Sequence, residues 1–377
     1  MLYIFWLSIL LPIYAVIGYP ALLSILSLFY KKPSYSLQDN LAVSIVIAAH
    51  NEEKNITNKI NSILKQTYQT EKLQIIIASD GSSDKTVELA RAFDDPRITV
   101  LDLPRAGKTS TLNSAFNHAK HEIIVFTDAD NQWENTTLAH LLKPFSSSDV
   151  GASAGQMIIP NSGKSLSFGD SAYRHYESWI RACENKTGCM VSADGALLAL
   201  RKELFQSIPL DVNDDFFLST CAPIHGKKII YVEDAIVTDE GVDEVDKQYR
   251  RRIRVTVGGL KSLAARCELM NPFKHKLYAI ALISHKLIRR LSPLFLIPLL
   301  ISNLFIYDIH IFYAITLYLQ LISYALAVLG LLDKDGRLPK IFRVAGYILI
   351  TVIGMSVGCW QFLTGKKYSL WNPQQNR

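Results

Sequence analysis

The stretch EIIVFTDADN runs from Glu122 to Asn131. It contains a run of apolar, β-favouring residues, and after that run come two carboxylates one residue apart. The apolar part predicts a buried strand, because near-continuous apolar runs of this length are typical of strands in parallel sheets. Asp128 and Asp130 then place two like charges at the end of that strand. Such charges repel each other, and taken alone the pair fits a loop with solvated acids, a helix cap or a site for a cation.

Three upstream segments repeat the pattern of an apolar strand with a polar end. They are VSIVIAAHNEE (Val43–Glu53), LQIIIASDGSSDKT (Leu73–Thr86) and ITVLDLPRAGKTSTLN (Ile98–Asn113). Helical character lies between the strands, at 52–65, 84–93 and 107–119. This alternation predicts an α/β fold with a parallel sheet covered on both faces. Ligands bind at the carboxyl ends of such strands, so the polar residues there are expected to converge: Asn51, Glu52, Asp80, Lys108, Asp128 and Asp130.

The pattern changes after residue 150. GASAGQMII predicts a strand, DSAYRHYESWIRACEN (Asp170–Asn185) a helix, and DGALLALRKELFQSI a strand that runs into a helix. NDDFFLSTCAPIHG predicts a helix that begins with Asp214 and Asp215, and DKQYRRRIRVTVGGLKSLAARC predicts a basic helix. We expect this half to form a substrate-side layer on a nucleotide-binding half.

The ends of the chain are strongly apolar. Residues 2–30 carry no charge, and this length exceeds the ~20 residues needed to cross a bilayer. Further candidate spans are Leu291–Tyr307, Ile311–Leu332 and Ile341–Leu363. Lys31 and Lys32 follow the first span directly, so the positive-inside rule places the next domain in the cytoplasm. The sequence thus predicts an integral protein of the cell inner or plasma membrane.

These patterns divide the chain into five parts. We expect an N-terminal transmembrane anchor at 1–30, a cytoplasmic domain at 41–275, an interfacial helix at 276–290, transmembrane helices at 291–363 and a polar tail at 364–377. ISHKLIRRLSP (Ile283–Pro293) suits a helix in the membrane interface, with its arginines at lipid headgroups. One span before the domain and three after it place the C-terminus outside, whereas the basic residues of the tail favour the inside. The C-terminal topology therefore stays open.

Several other classes of site do not fit. A net charge of +6 is too small and unfocused to predict nucleic acid as a partner. The five cysteines form no C-x-x-C pair, which argues against a disulfide framework or a zinc site. GKT at 107–109 lacks the earlier glycine of a P-loop, where Asp102 stands, and Trp133 occupies the glycine position of an EF-hand. What fits Asp128 and Asp130 is a divalent ion that borrows further ligands from substrate phosphates.

Taken together, IAAHNEE, SDGSSDKT, GKTSTLN and TDAD stand in the order and approximate spacing seen in family 2 glycosyltransferases, and the chain resembles that family. DGALLALRKELF, NDDFFLS and QYRRRIR continue the resemblance, which covers about residues 41–290. With its flanking spans the chain looks like the membrane synthases of poly-N-acetylglucosamine, hyaluronan and cellulose. The resemblance implies an A-type glycosyltransferase fold, a Rossmann-like and mostly parallel sheet, with flanking transmembrane helices.

The resemblance also implies roles for individual residues. The donor would be a nucleotide sugar, usually a UDP-sugar, and Asp130 with Asp128 nearby would hold Mg²⁺ or Mn²⁺ on its pyrophosphate. Asp215 matches the general base that deprotonates the acceptor hydroxyl. The other matches to the donor site are Asn51, Glu52, Asp80, Lys108, Gln248, Arg251 and Arg254, and those to the acceptor site are Asp194, Gly195 and Asp214.

Two positions depart from the family pattern. Ser79 stands where many members have a second acid, and Arg252 replaces the tryptophan of the Q-x-x-R-W motif. Since that tryptophan supplies the acceptor platform, processive polymerisation stays open. The basic helix either holds the diphosphate or turns its basic face to anionic lipid.

The expected function is therefore an inverting, metal-dependent membrane glycosyltransferase that builds a polysaccharide or other glycan. A single displacement with one base inverts the anomeric centre, in contrast to the two-step retaining mechanism. Two alternatives stay open: transfer of a single sugar to a lipid acceptor, and a non-catalytic nucleotide-sugar-binding subunit of an export complex. The expected partners are the donor, a glycan or lipid acceptor, membrane lipid and export subunits.

Overall fold

The structure, a computed structural model, describes residues 1–38, 41–68, 72–159, 165–193, 195–239, 245–333 and 337–365, without the side chains of 165–172 and 245–246. Its centre is an eight-stranded sheet in the order β3-β2-β1-β4-β7-β6-β8-β5. The strands are β1 Val43–Ala49, β2 Leu73–Asp80, β3 Ile98–Leu103, β4 Ile123–Asp128, β5 Gln132–Trp133, β6 Val150–Ile158, β7 Leu197–Arg201 and β8 Lys228–Thr238. The predicted α/β class is confirmed.

The first four strands form the parallel half of the sheet. β1 pairs in parallel with β2 and β4, and β2 pairs in parallel with β3. The second half is mixed, because β7 runs antiparallel to both β4 and β6, while β6 and β8 are parallel. The sheet is thus parallel where the strand-end motifs lie and mixed in the half formed by β6, β7 and β8.

Helices of the predicted kind connect and flank the strands. The three predicted near 52–65, 84–93 and 107–119 are present as α2, α3 and α4. The helices are α1 Leu2–Ser27, α2 Ile56–Leu64, α3 Thr86–Arg91, α4 Lys108–Phe116, α5 Thr137–Leu142, α6 Ser165–Thr187, α7 Asp214–Ile224, α8 Val245–Ala265, α9 Pro272–Ile306, α10 Ile311–Leu332 and α11 Lys340–Leu363. Of these, α1 contains a π-helical turn and α9 contains both π- and 3₁₀-helical turns.

The sheet is covered on both faces, as the apolar strands predict. Alternate residues of a strand point to opposite faces, so Ile45 and Ile47 of β1 pack with Ile56 and Ile60 of α2. The residues between them, with their neighbours on β2 and β4, pack with α4 and α7 on the other face. Each such fully buried aliphatic side chain contributes roughly 1.5–3 kcal/mol relative to exposure.

The helix predicted after β7 is wrong. Only one 3₁₀ turn, Lys202–Leu204, follows that strand. Asn113 then holds the chain at Ile208, since its amide donates to the Ile208 carbonyl at 2.9 Å and its oxygen accepts from the Ile208 N–H at 2.9 Å. Pro209 also disfavours the helical conformation at Ile208. A long-range contact and a proline therefore override the local helical pattern.

Four helices are long and apolar enough to cross a membrane: α1, α9, α10 and α11. They overlap the four predicted spans. Residues 276–290 lie within α9, and their place at a membrane interface stays a prediction. The expectation that the arginines of this segment reach lipid headgroups is wrong for Arg289. Its guanidinium pairs with Glu177 of α6, whose side chain is only 7% exposed and therefore requires a partner.

The basic helix α8 packs on the long apolar helix α11. A Cβ at Gly354 of α11 would lie 2.8 Å from Arg252 Cβ, and one at Gly358 would lie 2.7 Å from Thr256 Cβ. Small residues of this kind let two helix backbones approach closely. The Arg252 guanidinium lies 4.8 Å from the centroid of the Tyr173 ring. At this position α8 therefore faces protein and not lipid.

Candidate active site

The ends of β1, β2 and β4 lie side by side. In the sheet register Ala49 pairs with Ser79, and Ala48 pairs with Asp128. The polar segments that follow the three strands therefore leave the same edge of the sheet. This is where the structure places Asn51, Glu52, Asp80 and Asp128, and α4 brings Lys108 to the same edge.

Asp80 organises the loop that precedes α4. Its side chain is fully buried and accepts hydrogen bonds from Arg105 Nη1 at 2.7 Å, from the Ala106 N–H at 2.7 Å and from the Gly107 N–H at 2.9 Å. Gly107 has a φ of 91°, which favours glycine. The carboxylate thus fixes the turn from which Lys108 projects, and its contact with a nucleotide stays a prediction.

Asn51 joins the loops after β1 and β2. Its backbone has a φ of 55°, in the left-handed region, and its side-chain oxygen accepts from the Ser83 N–H at 2.8 Å. Glu52 is buried, and its Oε2 accepts from Asn55 Nδ2 at 2.7 Å. Ser79, which replaces an acid of the family pattern, donates to Ser82 Oγ at 2.9 Å. Both predicted nucleotide-binding residues therefore stabilise the rim of the site.

Lys108 joins the two halves of the site. Its Nζ lies 2.8 Å from Asp128 Oδ1 and 2.8 Å from Asp214 Oδ2. Burial alone lowers the pKa of Lys108, but the two carboxylates outweigh it and raise that pKa above its ordinary value. Burial, together with Asp130 and Asp214, raises the pKa of Asp128 although Lys108 lowers it. The strand end that carries Asp128 is thereby tied to the helix that carries Asp215.

The donor set at the end of β4 fits a hard divalent cation. Asp128 and Asp130 offer carboxylate oxygens, which Mg²⁺ and Mn²⁺ prefer. No group of three His, Cys, Asp or Glu side chains suited to a metal occurs among the described residues. A metal here would therefore take further ligands from water and substrate phosphates. Lys108 already occupies Asp128 Oδ1, which supports the proposal that Asp130 is the principal ligand.

Asp215 lies in the first turn of α7. Its Oδ1 accepts a hydrogen bond from the Phe216 N–H at 2.7 Å. Gly195 is beside it, since a Cβ at Gly195 would lie 3.3 Å from Asp215 Cβ. Gly195 and Asp214 are thus next to Asp215, whereas Asp194 lies outside the described residues. The roles proposed for Gln248, Arg251 and Arg254 on α8 stay predictions.

Lys59 is a candidate site residue that none of the sequence motifs indicated. This side chain is fully buried, and its Nζ donates to Thr127 Oγ1 at 2.8 Å and to Asn131 Oδ1 at 2.5 Å. It also lies 4.9 Å from the centroid of the Trp133 ring. Lys59 therefore fixes both ends of the segment that presents Asp128 and Asp130. The sequence does contain a sign that Lys59 is buried, because this residue falls at helical spacing on the apolar face of α2.

Replacing Lys59 with methionine is expected to destabilise the metal-free protein more at pH 9 than at pH 6. Burial lowers the Lys59 pKa from 10.5 to about 7, although Asp130 and Asp128 raise it. Between these values the unfolded chain binds a proton that the folded chain does not, so wild-type stability rises with pH from about 7 towards 10.5 and no longer depends on this group below about 7. We expect the difference from the variant to grow by about 2 kcal/mol between pH 6 and pH 9.

The measurement is unfolding of both proteins in EDTA at the two pH values. Lys65→Met is the control, because Lys65 is exposed at the end of the same helix. An equal pH dependence for Lys59→Met and Lys65→Met would contradict the prediction.

The chain is similar to known glycosyltransferases in sequence. The family model described as glycosyl transferase family 2 matches residues 44–205. Poly-beta-1,6-N-acetyl-D-glucosamine synthase of Staphylococcus aureus is 25% identical over 240 residues, which are 61% of this chain and 57% of that protein. Glycosyltransferase GlyA of Streptococcus pneumoniae is 23% identical over 210 residues, 52% of this chain and 30% of that protein.

A shorter match is UDP-Glc:alpha-D-GlcNAc-diphosphoundecaprenol beta-1,3-glucosyltransferase WfgD of Escherichia coli. It is 35% identical over 96 residues, 25% of this chain and 37% of that protein. The chain thus spans between about a third and just over half of the length of these three relatives. The similarity is concentrated in the domain that carries the strand-end motifs.

A solved structure shares the whole architecture. It is the mannosyltransferase PcManGT from Pyrobaculum calidifontis in complex with GDP-Man and Mn²⁺, with a TM-score of 0.72 and 22% identity over 97% of this chain and 100% of that chain. The likeness shows the fold. The predicted A-type glycosyltransferase fold with flanking apolar helices is therefore confirmed.

Proposed function

We propose, from the premise that residues 44–205 are a family 2 glycosyltransferase domain, that this chain is an inverting, metal-dependent glycosyltransferase of a membrane. It would take a UDP-sugar as donor and a glycan or lipid as acceptor. The observation that carries the proposal is the Lys108 ammonium, 2.8 Å from both Asp128 and Asp214. That contact joins the carboxylates suited to a metal with the helix that carries the proposed base.

The reaction we propose is a single displacement. Asp215 accepts the proton of the acceptor hydroxyl, whose oxygen forms a bond to the anomeric carbon of the sugar. The bond from that carbon to the nucleoside diphosphate breaks, and the diphosphate leaves with the bonding electrons. Asp130 and Asp128 would hold Mg²⁺ or Mn²⁺, which supplies positive charge to the leaving diphosphate. Lys108 holds Asp128 and Asp214 at fixed positions.

The choice of UDP rests on the family motifs and on one relative that is named for UDP-Glc. The neighbour of known structure contains GDP-Man, so the test must include both classes of donor. Full-length protein is incubated with a panel of UDP- and GDP-sugars with Mn²⁺ or with EDTA, and released nucleoside diphosphate is measured. We expect release from a UDP-sugar that EDTA abolishes. The proposal fails if no donor gives more release than the Asp130→Asn variant gives.

Product length separates the two enzymatic readings. The similarity to poly-beta-1,6-N-acetyl-D-glucosamine synthase supports a polymer, whereas Arg252 at the tryptophan position supports transfer of a single sugar. Mass spectrometry of the product is the measurement. A ladder of added sugars supports the synthase, and a single added sugar supports the transferase. The non-catalytic reading requires donor binding without any transfer.

We propose that the catalytic domain faces the cytoplasm, with α1 before it and α9, α10 and α11 after it. Cys267 is exposed, while Cys183, Cys189, Cys221 and Cys359 are buried. A membrane-impermeant maleimide is therefore expected to label the protein only after cells are lysed, and Cys267→Ser should remove the label. Equal labelling of intact and lysed cells would contradict the orientation.

A further inference from the structure

A cluster of buried charges joins α6 to the membrane helix α9. Glu177 of α6 accepts from Arg289, lies 3.3 Å from His285 Nε2 and lies 3.9 Å from Lys286 Nζ. Glu184, about two turns further along α6, lies 2.6 Å from His285 Nδ1. The Glu177 carboxylate is thus shared by Arg289 and Lys286 of α9 and by Arg181 of α6.

Arg290 belongs to the same helix but has a different environment. Among the described residues no carboxylate lies within 4.0 Å of its guanidinium, and its hydrogen bond goes to the Lys286 carbonyl at 3.0 Å. The guanidinium lies 5.8 Å from the centroid of the Phe216 ring, one residue beyond the proposed base. The Asp215 and Glu177 carboxylates act on it only at longer range. A partly buried cation without a close counter-charge is costly, so the arrangement indicates a site for an anion.

Two adjacent glycines of α8 make room for this arrangement. A Cβ at Gly259 would lie 2.5 Å from Arg290 Nε and 2.6 Å from Nη2. A Cβ at Gly258 would overlap the side chain of Asn213, the residue before Asp214. The pair therefore lets α8 pack against both the start of α7 and the Arg290 side chain. The guanidinium of Arg290, a residue of α9, is therefore held in place by packing against α7 and α8.

The first turn of α7 has a donor side and a membrane side. Asp214 contacts Lys108 and, through it, Asp128. Phe216 instead contacts Arg290, on a helix apolar enough to cross a membrane. Asp215 stands between these two residues in the chain. An anion held by Arg290 would therefore approach the base from the side of α9, the helix that is apolar enough to cross a membrane.

We propose that Arg290 binds a phosphate group of a membrane-borne acceptor and thereby positions the acceptor hydroxyl at Asp215. Arginine suits this ligand, because its planar fork pairs two N–H groups with two phosphate oxygens. The inference rests on the proposed function and adds the chemical class of the acceptor: a lipid that carries a phosphate. Arg290 is a binding residue in this account, and Gly259 positions it.

The test measures binding in the absence of any sugar donor. Full-length protein in nanodiscs of zwitterionic lipid is titrated with an alkyl phosphate and with the alkyl alcohol of the same chain length. We expect Arg290→Gln to weaken binding of the alkyl phosphate by about 10-fold or more and to leave binding of the alcohol unchanged. Arg290→Lys should be intermediate, because it keeps the charge but not the fork. Lys274→Gln is the control, since Lys274 is exposed on the same helix.

Gly259→Ala provides an independent variant that keeps the arginine but displaces its guanidinium, and it should weaken alkyl phosphate binding as Arg290→Gln does. Equal binding of the alkyl phosphate by wild type and Arg290→Gln, with matching thermal unfolding, would overturn the proposal. The proposal would also be overturned if inorganic phosphate competed for the site as strongly as the alkyl phosphate does, because that result would assign the site to free phosphate. A loss of UDP or GDP affinity in Arg290→Gln would assign it to the donor. If the binding result holds but no donor is consumed, only the proposed function fails.

Discussion

Asp215→Asn is expected to lower sugar transfer by about 10³-fold, within the range for removal of a general base. Asparagine has nearly the same shape, and its amide oxygen can still accept from the Phe216 N–H, the 2.7 Å hydrogen bond that orients the side chain. The amide cannot take the acceptor proton. Donor binding should therefore be unchanged while the rate of transfer falls. The measurements are initial rates at saturating donor and acceptor, and donor affinity by equilibrium binding.

A matched control for this variant is Asp211→Asn. Asp211 precedes the same helix, pairs with Lys261 at 3.4 Å and has a φ of 67°, which asparagine tolerates. Such a partly exposed ion pair is worth about 0–1 kcal/mol, so transfer should stay close to wild type. Transfer by Asp215→Asn within about 3-fold of wild type would show that this residue is not the base, since base catalysis is worth at least about 10².

Asp130→Asn is expected to remove the dependence of donor binding on Mn²⁺ and to lower transfer by about 10²-fold or more, because positive charge at a leaving diphosphate is worth several kcal/mol. The change replaces a charged oxygen ligand with a neutral one at the end of β4. Lys108 continues to hold Asp128, so the remaining carboxylate is a poor substitute. The measurement is a titration of donor binding with Mn²⁺.

Asp102→Asn is the control for Asp130→Asn. Asp102 lies on β3, and its only described ion pair is with Arg91 at 3.9 Å. Its replacement should leave the Mn²⁺ titration unchanged. If Asp130→Asn binds donor with the same Mn²⁺ midpoint as wild type, Asp130 is not a metal ligand. The division of roles between Asp130 and Asp215 is then wrong.

The parallel half of the fold could be predicted from the sequence because its signals are local. Each strand from β1 to β4 is an apolar run with a polar end, and the first three are each followed by residues of helical character. The general rule that ligands bind at the carboxyl ends of parallel strands then brings Asn51, Asp80 and Asp128 to one edge. The mixed half could not be derived in this way, because β7 pairs with β4 across about 70 residues of sequence.

The contacts between the site residues could not be predicted either, because they join residues that are far apart in the sequence. Lys108 and Asp214 are 106 positions apart, and no local pattern places one ammonium between Asp128 and Asp214. Asp80 illustrates the converse case. Its position was predicted, but its carboxylate is used by Arg105 and by two backbone N–H groups of the loop before α4. A motif therefore locates a residue without showing which groups it binds.

The ion pair between Arg289 and Glu177 could not be predicted, because the sequence pattern around Arg289 is ambiguous. ISHKLIRRLSP alternates apolar and basic residues, which is also typical of an interfacial helix. The acid that binds Arg289 is Glu177, more than a hundred residues earlier on a helix of mixed polarity. Only the packing of α6 on α9 distinguishes an arginine that pairs inside the protein from one that reaches headgroups.

The anomeric configuration of the transferred sugar distinguishes a single displacement at Asp215 from a two-step reaction. A single displacement, with Asp215 as the one base and no carboxylate nucleophile, requires that the product carry the configuration opposite to that of the donor. Proton NMR of the first product formed from the accepted nucleotide sugar reports this configuration through the coupling constant of the anomeric proton. The account predicts inversion. Retention would contradict it, because retention requires a two-step reaction with a nucleophile that the proposed site does not provide.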